Sequence, residues 1–141
     1  MTGSGKFDLA RRVTIFCPIE ANTLTALVSG DLNALARDAY AGRILAKIEH
    51  SNELGNFGPY RGVCELAIGV EAFTPLFGAQ PTVGQTGQRT LSPTITITTY
   101  VATSLSPTRL NELLDAIAAV HPWEVPVIDV ADVRLFGRTM R

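Results

Sequence analysis

The strictest pattern in this chain is the two-residue alternation of residues 94–101, TITITTYV. Its odd-numbered positions, which include two isoleucines and a valine, share one face of an extended segment, and threonines and Tyr100 share the other. β-Branched and aromatic residues favour strands because they pack well on a pleated, half-buried surface. The segment is therefore the clearest predicted strand of the chain, and the rest of the fold has to supply a sheet around it.

Shorter segments carry the same alternation. Residues 13–17 predict a strand that ends at Pro18, because proline cannot donate to a strand ladder. Residues 63–73 predict another, whose clearly apolar side consists of Cys64, Leu66, Ile68, Val70 and Ala72. A last strand is predicted over residues 123–130, and a change of phase at Ala131-Asp132 predicts a separate short strand over residues 133–136.

Two regions show helical spacing. Residues 20–40 repeat apolar side chains every three or four positions, and Gly30-Asp31 leaves open whether they form one helix or two. Ser106 and Pro107 predict the start of the second helix, as N-cap and first helical residue. That helix is predicted to end before His121, because a residue that precedes proline avoids the helical conformation.

Residues 43–50, RILAKIEH, fit either a helix or a strand. Because Gly42 favours a break just before them, we predict a strand there. Residues 51–62 have the glycine, proline and asparagine content of turns. Residues 74–93 predict a long loop with three glycines and three prolines, and loops of that length in compact domains are usually functional or disordered.

The order of these elements predicts an α+β fold, a ferredoxin-like β-α-β-β-α-β sandwich in which two helices cover one face of an antiparallel sheet. We expect a flexible N-terminus over residues 1–11, a single domain over residues 12–136 and a basic tail over residues 137–141. The second face of the sheet is left uncovered by this arrangement. It is not strongly polar, so it is a candidate for contact between subunits.

The amino-acid composition also favours contact between subunits. Only 18% of the 141 residues are charged and 46% are hydrophobic, whereas about 25% charged residues is usual. Such a surface favours a homo-oligomer, because an interface allows part of it to be apolar. A formal net charge of −1 argues against nucleic-acid binding, and no apolar run is long enough for a membrane span. We expect a cytoplasmic protein whose Cys17 and Cys64 are reduced thiols.

Two motifs resemble known families. Residues 73–87, FTPLFGAQPTVGQTG, and residues 121–126, HPWEVP, together with the strand that closes on Pro18, resemble the middle, PII/CutA-like domain of the Nif-three-like dinuclear-metal proteins. The ending is also similar to that of the CutA cation-tolerance proteins, although Trp123 stands where both families usually have tyrosine. The resemblance covers roughly residues 12–130 and implies a PII/CutA-type homotrimer. It implies no particular reaction.

The resemblance implies no metal site in this chain. In the Nif-three-like family the histidine and carboxylate ligands of the dinuclear centre belong to a larger surrounding domain, and this sequence has only two histidines. We therefore expect no dinuclear metal centre, and the sequence identifies no cofactor. His121 with Glu124, or Cys17 with His121, could form an acid–base or nucleophile pair. For His121 and Glu124 a structural role in ending a helix and shaping a turn is the stronger interpretation, and Cys17 lies on a predicted core strand.

The loop and the HPWEVP segment carry the candidate ligand site. Gly78, Gly84 and Gly87 could present backbone N–H groups to an anion, and Arg89 could add positive charge. A purely structural loop is the alternative. The remaining candidate ligand-binding residues are His121, Trp123 and Glu124. We expect their segment to meet the glycine loop of a neighbouring subunit and a ligand to bind at that seam.

Two functional classes remain open at this point. The first is a homotrimeric regulatory or small-ligand-binding protein of PII/CutA type, with a small-molecule or anionic ligand at a site between subunits. The second is a divalent-cation-handling protein of CutA type or an enzyme with an intersubunit active site. No catalytic residue stands out, so the sequence favours the first class.

Overall fold

Residues 7–140 are described by a computed structural model, in which four antiparallel strands form one sheet in the order β2-β3-β1-β4. The strands are β1 (Phe7–Pro18), β2 (Glu65–Phe73), β3 (Thr90–Ala102) and β4 (Val127–Phe136). The helices are α1 (Ala21–Val28), α2 (Ala34–Arg37), α3 (Ala41–His50) and α4 (Pro107–Val120). This order and pairing confirm the predicted ferredoxin-like α+β fold. The first predicted helical region, residues 20–40, contains two short helices, α1 and α2, and α3 follows them before β2.

The core lies between the helices and one face of the sheet. Ile15 of β1 is paired with Ile97 of β3, and both are fully buried against the helices. Ile44 and Ile48 of α3 and Ile117 of α4 belong to the same cluster. Each such residue contributes strongly, because truncating a buried isoleucine to alanine costs about 2–5 kcal/mol. The alternation of residues 94–101 therefore does place its isoleucines in the core.

The start and end of α4 agree with the prediction. The Ser106 hydroxyl accepts a hydrogen bond from the backbone N–H of Arg109 at 3.1 Å, and Pro107 is the first helical residue. The helix ends at Val120, directly before His121. These signals are local to the sequence, which is why they could be identified without knowledge of the fold.

The strand predicted over residues 43–50 is wrong, because these residues form the greater part of α3. The Asp38 carboxylate caps this helix by accepting hydrogen bonds from the backbone N–H groups of Tyr40 and Ala41, both at 2.9 Å. Gly42 does not break the helix. It is needed for close packing, since a Cβ there would lie 2.6 Å from the carbonyl oxygen of Ala36.

Strands β4 and β1 differ in extent from the predicted strands. β4 runs without interruption from Val127 to Phe136, so the predicted break at Ala131-Asp132 is wrong. β4 also begins after the HPWEVP segment and not at residue 123, as predicted. β4 pairs with β1 over its whole length, so the strand continues through the point where the apolar pattern changes phase. β1 itself begins at Phe7, and residues 1–6 of the predicted flexible start lie outside the described residues.

The chain returns to β1 after β4. The backbone N–H of Met140 donates a hydrogen bond to the Asp8 carboxylate at 2.9 Å, and the Met140 side chain is buried. The predicted basic tail thus has an ordered contact, while Arg141 lies outside the described residues. Over residues 7–140, no helix has the length and apolar character needed to cross a membrane.

Strand β2 has an apolar side that the helices leave exposed. Leu66 and Ile68 pair with Ile97 and Ile95, so they lie on the helical face of the sheet. The β3 partners are buried, whereas Leu66 and Ile68 are exposed. The apolar side predicted for residues 63–73 is therefore present, but within one chain it covers no core.

Candidate ligand-binding site

The connection between β2 and β3 is a loop over residues 74–89 that is closed on itself. The backbone N–H of Gly87 donates a hydrogen bond to the carbonyl oxygen of Pro75 at 2.7 Å, which joins the two ends of the loop. The N–H of Ala79 donates to the carbonyl oxygen of Leu76 at 3.0 Å and forms a tight turn. Pro75 is buried, and most of the other loop residues are exposed. The loop is thus ordered by its own backbone contacts.

This loop contacts the HPWEVP segment in the same chain. The Glu124 carboxylate accepts a hydrogen bond from the backbone N–H of Gln80, and the Thr82 hydroxyl donates one to the carbonyl oxygen of Pro122 at 2.7 Å. We expected these two motifs to meet across a subunit boundary. They meet within one chain, so a second subunit is not required to join them.

His121 holds the HPWEVP segment on the sheet. Its Nδ1 accepts a hydrogen bond from the backbone N–H of Trp123 at 3.1 Å, so the proton of the neutral ring is on Nε2. Nε2 donates to the carbonyl oxygen of Phe16 in β1 at 2.7 Å. Burial lowers the pKa of His121 below its ordinary 6.5, although the contact with Phe16 partly opposes this change. Both ring nitrogens are occupied, which supports the structural role of His121.

Trp123 follows directly and lies beside the His121 ring, with 5.4 Å between the ring centroids. Its indole Nε1–H is buried and has no hydrogen-bond partner among residues 7–140. Leaving such a donor unpaired costs about 1–3 kcal/mol. Buried polar groups without a partner are uncommon in folded proteins.

Between the loop, the HPWEVP segment and the sheet lies a cavity of about 230 Å³. The indole of Trp123 and the ring of Phe73 line it, together with aliphatic side chains such as Val125 and Val127. Two acidic residues also line it, Glu71 near the end of β2 and Glu124. The cavity is therefore apolar and aromatic with two acidic groups in its wall, which is the usual composition of a small-molecule site.

The three glycines of the predicted anion site all have the left-handed backbone conformation, with φ of +95° at Gly78, +97° at Gly84 and +79° at Gly87. At Gly84 a Cβ would in addition overlap the Thr90 side chain, so that position requires glycine for two reasons. None of the three lines the cavity. Arg89 is exposed and also lies outside the cavity wall.

Of the predicted ligand-binding residues, the structure thus brings Trp123 and Glu124 to the cavity. His121 supports Trp123 from behind, whereas Gly78, Gly84 and Gly87 shape the loop. Trp123 and Glu124 both line the cavity. They precede β4 in a bent segment, where the alternation of a strand does not apply.

The structure also answers the question of a cysteine nucleophile. Cys17 is fully buried on the helical face of β1, and burial together with the nearby Asp38 charge raises the pKa of its thiol to about 12. His121 donates to Phe16 rather than contacting the thiol. The Cys17 thiol therefore stays protonated at neutral pH and is not available as a nucleophile. Burial also raises the pKa of Cys64, and both cysteines are free thiols.

Metal ligands are not clustered in the described part of the chain. Within residues 7–140, no group of three or more His, Cys, Asp or Glu side chains is arranged so that it could hold a metal ion. His50 and Glu49 are exposed, and Glu53 instead forms a two-pronged ion pair with Arg109, with both N···O distances at 2.8 Å.

Glu71 and Phe73 were not among the residues predicted for the site. Both lie on the face of β2 that carries Glu65, Ala67 and Gly69. A carboxylate on a strand that leads directly into the glycine- and proline-rich loop was an available signal. Glu71 is far from Glu124 in the sequence, so the sequence alone does not show that the two residues line one cavity.

Comparison with known proteins adds a shared fold. No family model and no curated protein matches the chain. A solved structure, a Bacillus cereus protein related to NIF3, superimposes with a TM-score of 0.57 at 17% sequence identity over 92% of this chain. The two chains share a fold. The match spans 27% of the Bacillus cereus protein, so this chain corresponds to about a quarter of its length.

Proposed function

We propose that this protein binds a small organic ligand in the cavity between the 74–89 loop and the HPWEVP segment, and that it acts as a regulatory or ligand-binding homotrimer. The observation that carries the proposal is the hydrogen bonding between these two motifs, which closes an apolar cavity around Trp123. Both motifs are also the most distinctive segments of the sequence.

Other observations support binding rather than catalysis. The thiol of Cys17 is buried and its pKa is raised, so it is unsuited to attack a substrate. His121 uses both ring nitrogens for contacts with the backbone and is not free to transfer protons. A cavity with an aromatic wall and no activated nucleophile fits reversible binding.

The assembly part of the proposal rests on surface chemistry and on the fold. The exposed apolar side of β2, which includes Leu66, Ile68 and Val70, is a surface that a second subunit would cover. β2 is also an edge strand, and no strand within residues 7–140 pairs with its outer side, which leaves it open to pairing with another chain. The shared fold with part of a NIF3-related protein, and the two motifs, support a relationship to the Nif-three-like family.

The cavity can be tested with the protein's own fluorophore, because Trp123 is its single tryptophan. A collection of metabolites and amine, alcohol and carboxylate probes is titrated while Trp123 emission and the melting temperature are followed. Ala79→Leu, which fills the cavity wall, should abolish both responses. Ala119→Leu on the exposed side of α4 is the matched control and should leave them unchanged. Responses that survive Ala79→Leu would locate binding elsewhere and refute the proposal.

A further inference from the structure

We propose that the ligand of this cavity is an organic cation, an ammonium group attached to an apolar body, rather than an anion. This inference rests on the proposed function, since it specifies what the same cavity selects. The sequence alone suggested the opposite charge, because Arg89 follows a loop rich in glycine. The arrangement of charge around the cavity decides between them.

The first observation is the sign of the charges in the wall. Within residues 7–140, Glu71 and Glu124 are the charged residues that line the cavity, and no lysine or arginine of that range lines it. Among residues 7–140, every ion pair involves other carboxylates, namely those of Asp31, Glu53, Glu112 and Asp132. The cavity therefore presents two carboxylates without a cationic partner in the described chain.

The second observation is the position of Glu124. One of its oxygens accepts the backbone N–H of Gln80, which fixes the carboxylate on the cavity wall. Its second oxygen is left to accept a hydrogen bond from a ligand. Glu71 is half-buried on β2, a rigid strand, and lies beside Phe73 on the same face. The Glu124 carboxylate is thus held by a backbone hydrogen bond, and Glu71 is carried by a strand.

The third observation is the aromatic surface. The indole of Trp123 and the ring of Phe73 line the same cavity, and the negative face of an aromatic ring attracts ammonium groups, tryptophan most strongly. Aliphatic side chains of Val125, Val127 and Ala79 complete the wall and suit the carbon skeleton of a ligand. Carboxylates, aromatic faces and aliphatic contacts together select a cation with an apolar body. A carboxylate or phosphate ligand would meet repulsion from both glutamates.

The test uses three probes of nearly equal shape and different charge: cyclohexylmethylammonium, cyclohexylmethanol and cyclohexanecarboxylate. None absorbs where Trp123 is excited, so binding is measured directly from Trp123 emission at neutral pH. We expect the ammonium probe to bind at least about tenfold more tightly than the alcohol, the gain of a charge-assisted hydrogen bond. The carboxylate should bind most weakly. This comparison needs only the unaltered protein, so it does not depend on a variant that folds.

Two variants identify the groups responsible. Glu124→Gln keeps an oxygen that can accept the Gln80 N–H but removes the charge, and Glu71→Gln removes the other charge. Each should weaken ammonium binding more than alcohol binding, so that the ammonium affinity falls toward that of the alcohol. Asp115→Asn, an exposed carboxylate on α4, is the control and should change neither.

The outcomes separate this inference from the proposed function. Equal binding of ammonium and alcohol, abolished by Ala79→Leu, would overturn the charge selection and leave the cavity as a ligand site. Tighter binding of the carboxylate, lost in Arg89→Ala, would also overturn it in favour of an anion site. Absence of binding by all three probes at millimolar concentration would count against both proposals.

Discussion

His121 donates a hydrogen bond through Nε2 to the carbonyl oxygen of Phe16, 2.7 Å away, and thereby ties the start of the HPWEVP segment to the central strand β1. The contact joins residues that are 105 positions apart in the chain. Because the other ring nitrogen accepts the N–H of Trp123, the same imidazole sets the direction in which the indole leaves the backbone. The position of Trp123 at the cavity therefore depends on a neutral His121.

Stability should consequently fall as the solution becomes acidic. The pKa of His121 is below 6.5 in the folded protein, so the unfolded chain takes up this proton first. The contribution of His121 is complete above about pH 6.5 and is progressively lost as the pH falls through the interval between 6.5 and its folded pKa. Thermal unfolding measured from pH 8 to pH 5 should show this decline.

Replacement of the ring separates His121 from other groups that titrate. His121→Gln should lower the melting temperature at pH 8 and flatten its dependence on pH between 8 and 5. His50→Gln, at an exposed position at the end of α3, should leave the wild-type profile intact. A profile that is equally steep in His121→Gln would show that another group is responsible.

Substitution of Asp38 is expected to lower the free energy of unfolding more than substitution of most other polar residues. Its carboxylate is buried and accepts four hydrogen bonds, from the hydroxyl of Thr23 at 2.6 Å and from the backbone N–H groups of Glu20, Tyr40 and Ala41 at 2.9 Å each. Burial alone would raise the pKa of Asp38, but these donors outweigh it and hold the pKa below 3.8. The carboxylate thus remains charged although no lysine or arginine among residues 7–140 forms an ion pair with it.

Asp38→Asn replaces one acceptor oxygen by a donor and leaves backbone donors unpaired. We expect a loss of about 3 kcal/mol in the free energy of unfolding, measured by urea denaturation, since each buried unpaired group costs about 1–3 kcal/mol. Asp115→Asn on the exposed face of α4 should change it by less than about 0.5 kcal/mol. Similar losses in the two variants would contradict the role assigned to Asp38.

The same carboxylate shows why part of the fold could not be predicted from local sequence. The strand of residues 94–101 and the cap at Ser106 are encoded by neighbouring residues, and both were predicted correctly. The helical state of residues 43–50 depends instead on Asp38, which precedes them, and on the packing of Gly42 against Ala36. A strand and a helix fit the apolar spacing equally well, and the tertiary contacts decide between them.

The site, like the fold, could be predicted from the sequence only in part. Trp123 and Glu124 were recognised because their motif is distinctive. Glu71 and Phe73 were not, since they join the cavity only through the packing of the loop. The sequence offered Arg89 as the charge of the site, but Arg89 is exposed and does not line the cavity.

The loop provides a prediction about backbone conformation. Gly84 and Gly87 both have positive φ, where any other residue costs about 1–2 kcal/mol. A Cβ at Gly84 would additionally overlap Thr90, whereas the space around Gly87 is open. Gly84→Ala should therefore loosen the loop more than Gly87→Ala. Limited proteolysis within residues 74–89 and the emission of Trp123 are the measurements, and equal effects of the two variants would contradict the steric argument.

The last prediction concerns assembly through the exposed side of β2. Ile68 is 52% exposed although it lies on the helical face of the sheet, beside Leu66 and Val70, which are exposed too. A lysine at this position would place charge in the proposed interface and so separate the subunits. Light scattering should give about three times the 15.1 kDa chain mass for the wild type and a single chain for Ile68→Lys. Val28→Lys on α1, where valine is 77% exposed, introduces the same charge away from β2 and should remain trimeric. A monomeric wild-type protein would refute the assembly, and a trimer that tolerates Ile68→Lys would move the interface to another surface.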